Sequence, residues 1–433
     1  MPIMDNQLLA DGVQLLALPD SRFKTAHLTA ALLLPLDGQT ASEQAILPFL
    51  LRRSCAAYPD FTALNKRLNQ LYGARVSADV SRIGETQALV LRTVCIDDRF
   101  ALDGEPVAAQ CAGLLRGMLL EPVLENGLFR QADVEQERRC LTEEIESEIN
   151  EKRLYARHRC EQLLCEGEPY AVNRYGTIDG VNALTPERVT SAWKRMLETA
   201  RIQLIVQGGD VEAVAEAFRR SFDGLSRQPA ALSTQHIPTA DGVRERTEEM
   251  AVNQCKLVMG FRTGVAEPSG DVAAMRLANA LFGATPYSML FRNVRERLSL
   301  CYYCSSSFQS FTGSMAVNSG VEHADAARAE QAILKELADL CTGPITDEEF
   351  EDCRRGLLSG MNGIEDSLGG IESWYYIEVL RAGANSAAPI QSPEQARNAL
   401  RAVTKDEVRD ILRRLTLSVS YLLTKEDAAH AAE

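Results

Sequence analysis

The sequence predicts an α+β fold of two similar domains from an internal duplication, each a mostly antiparallel sheet packed with helices. The first observation is length, because 433 residues far exceed the roughly 150 that one domain needs. The second is a helix and strand pattern that begins at Thr185 and again at Thr404, about half the chain apart. A duplicated domain leaves this kind of repeat.

The repeated pattern is a capped helix followed by a strand. Thr185 and Thr404 stand where a side-chain oxygen can cap a helix, and Glu407 completes a Thr-x-x-Glu capping box in the second copy. Apolar residues then recur at helical spacing. Strand-like runs follow at 202–207 and 418–423. Each half therefore ends its pattern in the same way.

Strand candidates mix with helices of more than ten residues in both halves. An acidic helical stretch spans 135–151 after Pro122, and a looser echo spans 347–355 after Pro344. Hairpin-type strands beside long helices favour an α+β fold over a strictly parallel sheet. The strand candidates are 13–17, 28–34, 74–80, 88–94, 256–261 and 315–319.

One segment between the halves is predicted to be a linker. Residues 226–243 contain Pro229 and Pro238 and show no clear hydrophobic period. The predicted domains are therefore 1–225 and 244–433, joined by that linker.

Composition excludes several classes of protein. The chain has 46 Lys and Arg against 60 Asp and Glu, a net charge of −14, so no nucleic-acid partner is expected, because phosphate binding needs basic residues. No apolar run approaches the roughly 20 residues that span a bilayer, and no signal peptide is visible at the start, so we expect no membrane partner and a cytoplasmic location. The eleven cysteines are expected to be reduced thiols.

Local spacing offers no histidine-rich metal site. Of the five histidines, the two nearest in sequence are His158 and His236, so no His-x-x-x-His pair exists. Cys301 and Cys304 have the spacing of a redox pair, but they lie in a strand-like run, where alternation places them on opposite faces. The simpler interpretation, thiols packed beside tyrosines, is favoured.

Two further segments carry candidate chemistry. On the acidic helix, Glu144 and Glu148 lie at the border of the apolar stripe. Carboxylates there could serve as metal ligands or as a general base. The alternative is that they form a solvated helix edge. Arg295 lies about one turn after Phe291 on a helix with one apolar face, and Tyr302 begins the strand that follows. A guanidinium and a phenol at such a junction could bind a peptide carbonyl or a carboxylate. The alternative is a surface ion pair and a half-buried tyrosine.

Several segments in order resemble the M16, or pitrilysin-type, metallopeptidases and their non-catalytic relatives. These are 11–20, 129–145, 175–185 and 281–302, so the resemblance extends along most of the chain. The last segment is the most specific, since it resembles the helix of the second domain whose Arg and Tyr contact substrate backbone in active members. The resemblance implies two α+β domains, with Arg295 and Tyr302 as substrate-binding residues.

The first domain departs from the family where active members carry an inverted zinc motif, His-x-x-Glu-His. By alignment, Ala45 and Phe49 occupy the histidine positions, Pro48 the general base, and only Glu144, the distant ligand, matches. Methyl, phenyl and pyrrolidine groups cannot ligate zinc or accept a proton. The resemblance thus implies no catalytic residue, no bound metal or cofactor, and no peptidase activity of the chain alone.

The same pattern resembles one chain of two-chain M16 systems, in which the partner brings the zinc. The expected partner is a zinc-bearing M16 homologue in a heterodimer that acts on a peptide or protein. Segments such as 47–54 and 68–75 resemble a Gram-positive bacterial subgroup associated with the 5-aminopentanol modification of elongation factor P. The alternatives are a proteolytically silent homodimeric scaffold and an enzyme that uses cysteine or another metal site.

Overall fold

The protein is described by a computed structural model over residues 5–219, 221–384 and 390–425. Its contacts divide the chain into two compact units. The first unit holds the described residues up to Glu146 together with Val172–Ser233, and the second holds Ser147–Ala171 together with the described residues from Thr234 onward. The boundaries 1–225, 226–243 and 244–433 remain a prediction about the sequence.

The first unit is built on a six-stranded sheet with the order β1-β2-β8-β3-β5-β4. Its neighbours pair antiparallel except β2 and β8, which are parallel, and β6 and β7 form a separate small hairpin. The strands are Asp5–Ala10 (β1), Val13–Leu18 (β2), Thr25–Pro35 (β3), Arg75–Ile83 (β4), Thr86–Ile96 (β5), Leu124–Glu125 (β6), Leu128–Phe129 (β7) and Arg201–Gln207 (β8).

The helices in the first half of the sequence are amphipathic or capped, as the sequence indicates. Thr185 caps the helix after it by accepting a hydrogen bond from the Arg188 amide. They are Ala41–Ala45 (α1), Leu47–Leu51 (α2), Phe61–Gln70 (α3), Val107–Leu120 (α4), Gln131–Asn150 (α5), Lys152–Leu164 (α6), Ile178–Asn182 (α7), Pro186–Thr199 (α8) and Val211–Phe218 (α9). Short 3-10 turns cover Asp98–Phe100, Leu102–Gly104 and Pro169–Ala171.

The second unit has a five-stranded sheet with the order β11-β12-β10-β13-β9. Only β13 and β9 pair in parallel among its neighbours. The strands are Arg244–Met250 (β9), Cys255–Arg262 (β10), Cys301–Gln309 (β11), Ser314–Val321 (β12) and Thr416–Lys425 (β13).

Helices cover this sheet, and one of its capping predictions is confirmed. Thr404 and Glu407 form the capping box expected at the second copy of the repeat. The helices are Val272–Asn279 (α10), Ala326–Thr342 (α11), Asp347–Asn362 (α12), Leu368–Ala384 (α13), Pro393–Ala402 (α14) and Lys405–Leu412 (α15), with π-helical segments at Ala280–Ala284 and Leu290–Arg297 and 3-10 turns at His323–Asp325 and Gly363–Asp366.

The two sheets share one topology, which confirms the predicted α+β fold with two similar halves. The strand after the repeated helix, β8 or β13, is central and pairs in parallel with one neighbour and antiparallel with the other. The order β2-β8-β3-β5-β4 corresponds to β9-β13-β10-β12-β11. In both sheets the last strand of this series, β4 or β11, is an edge strand.

Helix α6 belongs to the second unit, although it lies in the first half of the sequence. Its buried residues Ala156, Cys160 and Leu164 form a hydrophobic cluster with Val258 of β10 and Tyr421 of β13. A backbone contact is close as well, since a Cβ on Gly260 would meet the Cys160 sulfur at 3.2 Å. Within the described ranges, the helices are too short or too polar to cross a bilayer.

Candidate functional site

The helical segment over residues 41–51 of the first unit, the early helix, is interrupted at the positions that correspond to the zinc motif. The structure has two short helices here, α1 and α2, with a break at Ile46 and an end at Leu51. Pro48 explains the break, because it has no backbone N–H to donate to the carbonyl of Gln44. Ala45 is fully buried, and Phe49 lies under the Arg52 guanidinium, 5.6 Å from the ring centre.

Glu144 projects from α5 as an exposed side chain. Its negative charge contributes to the raised pKa of the buried Tyr175, for which burial is the largest cause. The residues that follow Tyr175 contact α1, since the amide of Thr177 donates to the Ser42 hydroxyl at 3.3 Å. The carboxylate therefore lies on the side of the unit where Tyr175 joins the early helix.

The family implies zinc at this place, and the residues do not fit it. Ala45, Pro48 and Phe49 offer a methyl, a pyrrolidine and a phenyl group, which leaves one exposed carboxylate where three protein ligands are needed. No group of three or more His, Cys, Asp or Glu within residues 5–219, 221–384 and 390–425 is placed to hold a metal ion. His430, the last of the five histidines, lies outside the described residues.

A groove lies beside the early helix of the first unit. It has a volume of about 920 Å³ and runs along the start of the edge strand β4. Arg52, Arg75, Gln136, Cys140 and Phe61 are among its lining residues. Gln136 and Cys140 precede Glu144 by about two turns and one turn of α5, respectively, but neither Glu144 nor the altered zinc positions line the groove.

The second unit places Arg295 and Tyr302 on one groove. This Arg/Tyr groove has a volume of about 470 Å³ and is lined by Arg295, Glu296, Ser299, Leu300, Cys301, Tyr302, Glu322 and Asp325. It lies where the π-helical segment Leu290–Arg297 ends and the edge strand β11 begins. Ser299 makes the turn between them with a left-handed φ of 53°.

Arg295 is held loosely and can reach a ligand. Its guanidinium lies 4.6 Å from the Phe291 ring centre and 3.6 Å from the Glu296 carboxylate. The side chain is 38% exposed. Stacking on Phe291 fixes the plane of the guanidinium and leaves N–H groups to donate to a carbonyl or carboxylate.

Tyr302 is the extra residue of a β-bulge. Cys301 pairs with Val321 and Tyr303 with Gly320, so Tyr302 has no partner residue on β12. The side chain is 62% exposed, and its hydroxyl donates to Glu322 at 2.9 Å. That hydrogen bond raises the pKa of Tyr302, which keeps the phenol protonated as a donor at neutral pH.

The bulge also changes the placement of the two cysteines. Alternation predicted opposite faces for Cys301 and Cys304, and this prediction was wrong. Both are buried, because the extra residue Tyr302 reverses the alternation between them. Hydrogen bonding with Cys304 is the largest influence on Cys301 and lowers its pKa against the opposing effect of burial.

Sequence reasoning missed the acidic side of the Arg/Tyr groove. Glu322 and Asp325 come from the turn after β12, and Glu296 neighbours Arg295. Asp325 is already paired with Arg328 at 2.7 Å. Nothing local in the sequence connects Glu322 to Tyr302, because the contact depends on the pairing of β11 with β12.

Comparisons with known proteins agree with the fold and the altered motif. Residues 183–357 match the family described as "Peptidase M16 inactive domain". The chain is 28% identical over 410 residues to "Probable inactive metalloprotease YmfF" of Bacillus subtilis (strain 168), covering 94% of this chain and 95% of that protein. It is 25% identical over 261 residues to "Uncharacterized zinc protease SCO5738" of Streptomyces coelicolor, covering 57% and 55%.

Solved structures share the whole fold. A crystal structure of a conserved protein from Enterococcus faecalis V583 superposes with a TM-score of 0.90 at 24% identity, covering 98% of this chain and 99% of that one. A crystal structure of a peptidase M16 inactive domain from Pseudomonas fluorescens gives a TM-score of 0.77 at 16% identity, with the same coverage. The matched domain and the full-length relative show that the chain is related to the M16 peptidases, and the solved structures show that it shares their fold.

Proposed function

We propose that the chain is a non-catalytic M16-like subunit that pairs with a zinc-bearing M16 homologue and holds a peptide backbone at the Arg/Tyr groove. The single observation that supports this most strongly is the placement of Arg295 and Tyr302 on one groove at the start of an edge strand. Arg295 has N–H groups to donate to peptide carbonyls or a terminal carboxylate, and the Tyr302 hydroxyl donates to such an acceptor by turning away from Glu322.

Peptide binding also fits the backbone of β11. One side of this strand is not paired within the sheet, so an extended peptide can add to it through main-chain hydrogen bonds. The bulge at Tyr302 turns that side chain outward, where it stands beside the added strand. Backbone recognition of this kind explains how the groove could bind a peptide without reading its sequence closely.

The charges of the groove favour a basic peptide. Arg295 is outnumbered by Glu296, Glu322 and Asp325, and only Asp325 has an arginine partner outside the groove lining. A Lys or Arg side chain of the ligand would gain from the net negative charge of the groove, and more so at low salt. The resemblance to the elongation factor P subgroup makes that factor the first substrate to test.

The test combines Arg295→Ala with Tyr302→Phe in the assembled pair. Loss of two donors is expected to weaken peptide binding about 10- to 100-fold, at about 1.5–3 kcal/mol for hydrogen bonds that involve a charged group. Activity of the pair should fall as well, while its mass in solution stays the same. Peptide affinity is measured by fluorescence anisotropy, and assembly by light scattering.

Arg292→Ala is the matched control. Arg292 lies on the same π-helical segment, but it pairs with Glu349 at 3.0 Å and does not line the groove. It should leave peptide affinity unchanged. Equal affinity and turnover in the double variant would remove the proposed role of the groove. A homodimer that ignores the zinc-bearing homologue would favour the scaffold alternative.

A further inference from the structure

Cys301 and Cys304 lie side by side under the Arg/Tyr groove. Cys301 lines the groove, whereas Cys304 is buried behind it. They lie on one face of β11 because the bulge at Tyr302 inserts one residue between them. The buried hydroxyl of Ser319, opposite Cys304 on β12, is close to both sulfurs.

The register sets the distance between the two cysteines. Cys301 pairs with Val321 and Cys304 with Ser319. The two therefore span two residue intervals of β12, about 6.6 Å at 3.3 Å per residue. Disulfides form when the Cα atoms are about 4.4–6.8 Å apart. A regular strand with the same Cys-x-x-Cys spacing would separate them by about 10 Å and point them apart.

The two thiols also differ in reactivity. Interaction with Cys304, the Ser319 hydroxyl and the Arg295 guanidinium together lower the pKa of Cys301, against the effect of burial. The interaction with Cys301 and burial raise the pKa of Cys304 well above its usual value. A cysteine with a lowered pKa at the groove, beside a buried cysteine with a raised pKa, is the arrangement of an attacking and a resolving cysteine.

We propose that Cys301 and Cys304 form an oxidisable dithiol site that takes peroxides entering through the Arg/Tyr groove and closes as an intramolecular disulfide. The Cys301 thiolate attacks one peroxide oxygen, the O–O bond breaks, and hydroxide leaves, or alkoxide if the peroxide is organic. The Cys304 sulfur then attacks the resulting sulfenic acid, the S–O bond breaks, and water leaves with the Cys304 proton. Two thiols are oxidised and one peroxide is reduced.

The experiment treats the reduced full-length chain with one equivalent of hydrogen peroxide and then alkylates the remaining thiols with N-ethylmaleimide. Trypsin releases both cysteines on the peptide 298–328, which holds no other cysteine. That peptide should lose two hydrogens and carry no maleimide. No peptide ligand is needed, so the result is independent of the proposed binding function.

Cys95 and Cys111 are the internal control. They also interact with each other, but both are buried and neither lines a groove named above. They should stay reduced at peroxide doses at least tenfold higher. Cys304→Ser should leave a sulfenic acid on Cys301 that dimedone traps, whereas Cys301→Ser should leave Cys304 unmodified.

A second probe leaves the chain unmutated, in case a serine variant folds poorly. Phenylarsine oxide bridges two neighbouring thiols, so one equivalent should protect both cysteines of 298–328 from alkylation. The proposal is overturned if both thiols are still fully alkylated after peroxide or the arsenical. It is equally overturned if one sulfur gains oxygen while no disulfide forms.

Discussion

A single inserted residue decides what the edge of the second sheet presents to solvent. Tyr302 has no partner on β12, so its phenol points into the Arg/Tyr groove and its two flanking cysteine positions turn the same way. In the first unit, by contrast, single residues remove groups that could bind a ligand. Ala45 and Pro48 fill the early helix with groups that cannot bind metal, and Pro48 also divides that helix.

The altered early helix leads to a prediction about metal content. The purified chain should contain substoichiometric zinc, because one exposed carboxylate at Glu144 cannot replace three ligands. Dialysis against a chelator should leave the thermal midpoint unchanged. Elemental analysis with a zinc-bearing M16 relative in parallel checks this, and one tightly held zinc per chain would contradict it.

Gly176 provides a steric test of the contact between α1 and the segment at Tyr175. Its φ is +76°, and an added Cβ would collide with the Ser42 hydroxyl and lie 2.8 Å from the Ser42 amide nitrogen. Gly176→Ala should therefore lower the free energy of unfolding by about 2–4 kcal/mol, from left-handed strain and overpacking together. Urea unfolding measures the loss.

Gly127→Ala separates the two causes. Gly127 also has a left-handed φ, +79°, but nothing lies within 4 Å of an added Cβ. Strain alone predicts a loss of about 1–2 kcal/mol. Equal losses at Gly127 and Gly176 would show that the Ser42 contact contributes nothing.

At the scale of elements, a half-buried ion pair joins a strand to a helix that is distant in sequence. Glu248 of β9 accepts hydrogen bonds from Tyr155 at 3.0 Å and Tyr421 at 2.9 Å. Arg159 of α6 donates to the same carboxylate at 2.6 and 3.1 Å. One side chain therefore connects β9, β13 and α6 within the second unit.

Glu248→Gln should destabilise the second unit by about 2–3 kcal/mol at neutral pH, from the loss of charged hydrogen bonds. Burial alone would raise the pKa of Glu248, but hydrogen bonds from Arg159, Tyr421 and Tyr155 outweigh it and lower the pKa. The carboxylate therefore stabilises the fold above its unfolded pKa of about 4.3, and this contribution disappears as pH falls through the lower folded pKa.

The variant and the wild type should accordingly differ by a constant amount above about pH 4.3, and the difference should shrink as pH falls below it. Chemical unfolding at several pH values tests the trend. Glu249→Gln, which changes the next, exposed carboxylate, should show little effect at any pH. A difference between Glu248→Gln and the wild type that stays constant below about pH 4.3 as well would mean that the pKa of Glu248 is not lowered in the folded protein.

The sequence predicts elements whose partners leave a local pattern. The apolar runs at 28–34 and 88–94 correspond to β3 and β5, and the threonine caps correspond to α8 and α15. Strand β9 could not be predicted, since Arg244–Met250 is largely charged and shows no alternation. Its Glu248 is held by partners on α6 and β13, and no sequence window contains all three elements.

The candidate site divides in the same way. Arg295 and Tyr302 could be identified from residue types at a helix and strand junction, and from the family resemblance. The Tyr302 bulge could not, because a bulge depends on the register of β11 against β12. The proximity of Cys301 to Cys304 and the contact between Tyr302 and Glu322 depend on that register, so the sequence could not predict them either.

At the scale of the whole molecule, the order of the sequence and the composition of the two units differ. The second unit takes Ser147–Ala171 from the first half of the chain. Helix α6 covers one side of β10 and β13 with Ala156, Cys160 and Leu164. Cutting the chain at the predicted linker would therefore remove part of the second unit.

A fragment of residues 234–433 should for this reason be unstable alone. Without α6, Val258, Val419 and Tyr421 lose their cover, and exposed apolar surface promotes aggregation. Adding the peptide 147–171 should restore cooperative unfolding, as seen by circular dichroism, whereas the same peptide with Leu164→Asp should not. Full cooperativity of 234–433 without any peptide would contradict the structural assignment of α6.

Helix α6 also imposes a waiting time on biosynthesis. Its last residue, Leu164, leaves the ribosome roughly 250 residues before β13, which begins at Thr416. At about 5–20 residues per second, the nascent helix waits on the order of 10–50 s for its sheet. Its apolar face is exposed to chaperones and to neighbouring nascent chains during this time. Slow translation of the second half of the chain would therefore first affect α6, which is encoded in the first half.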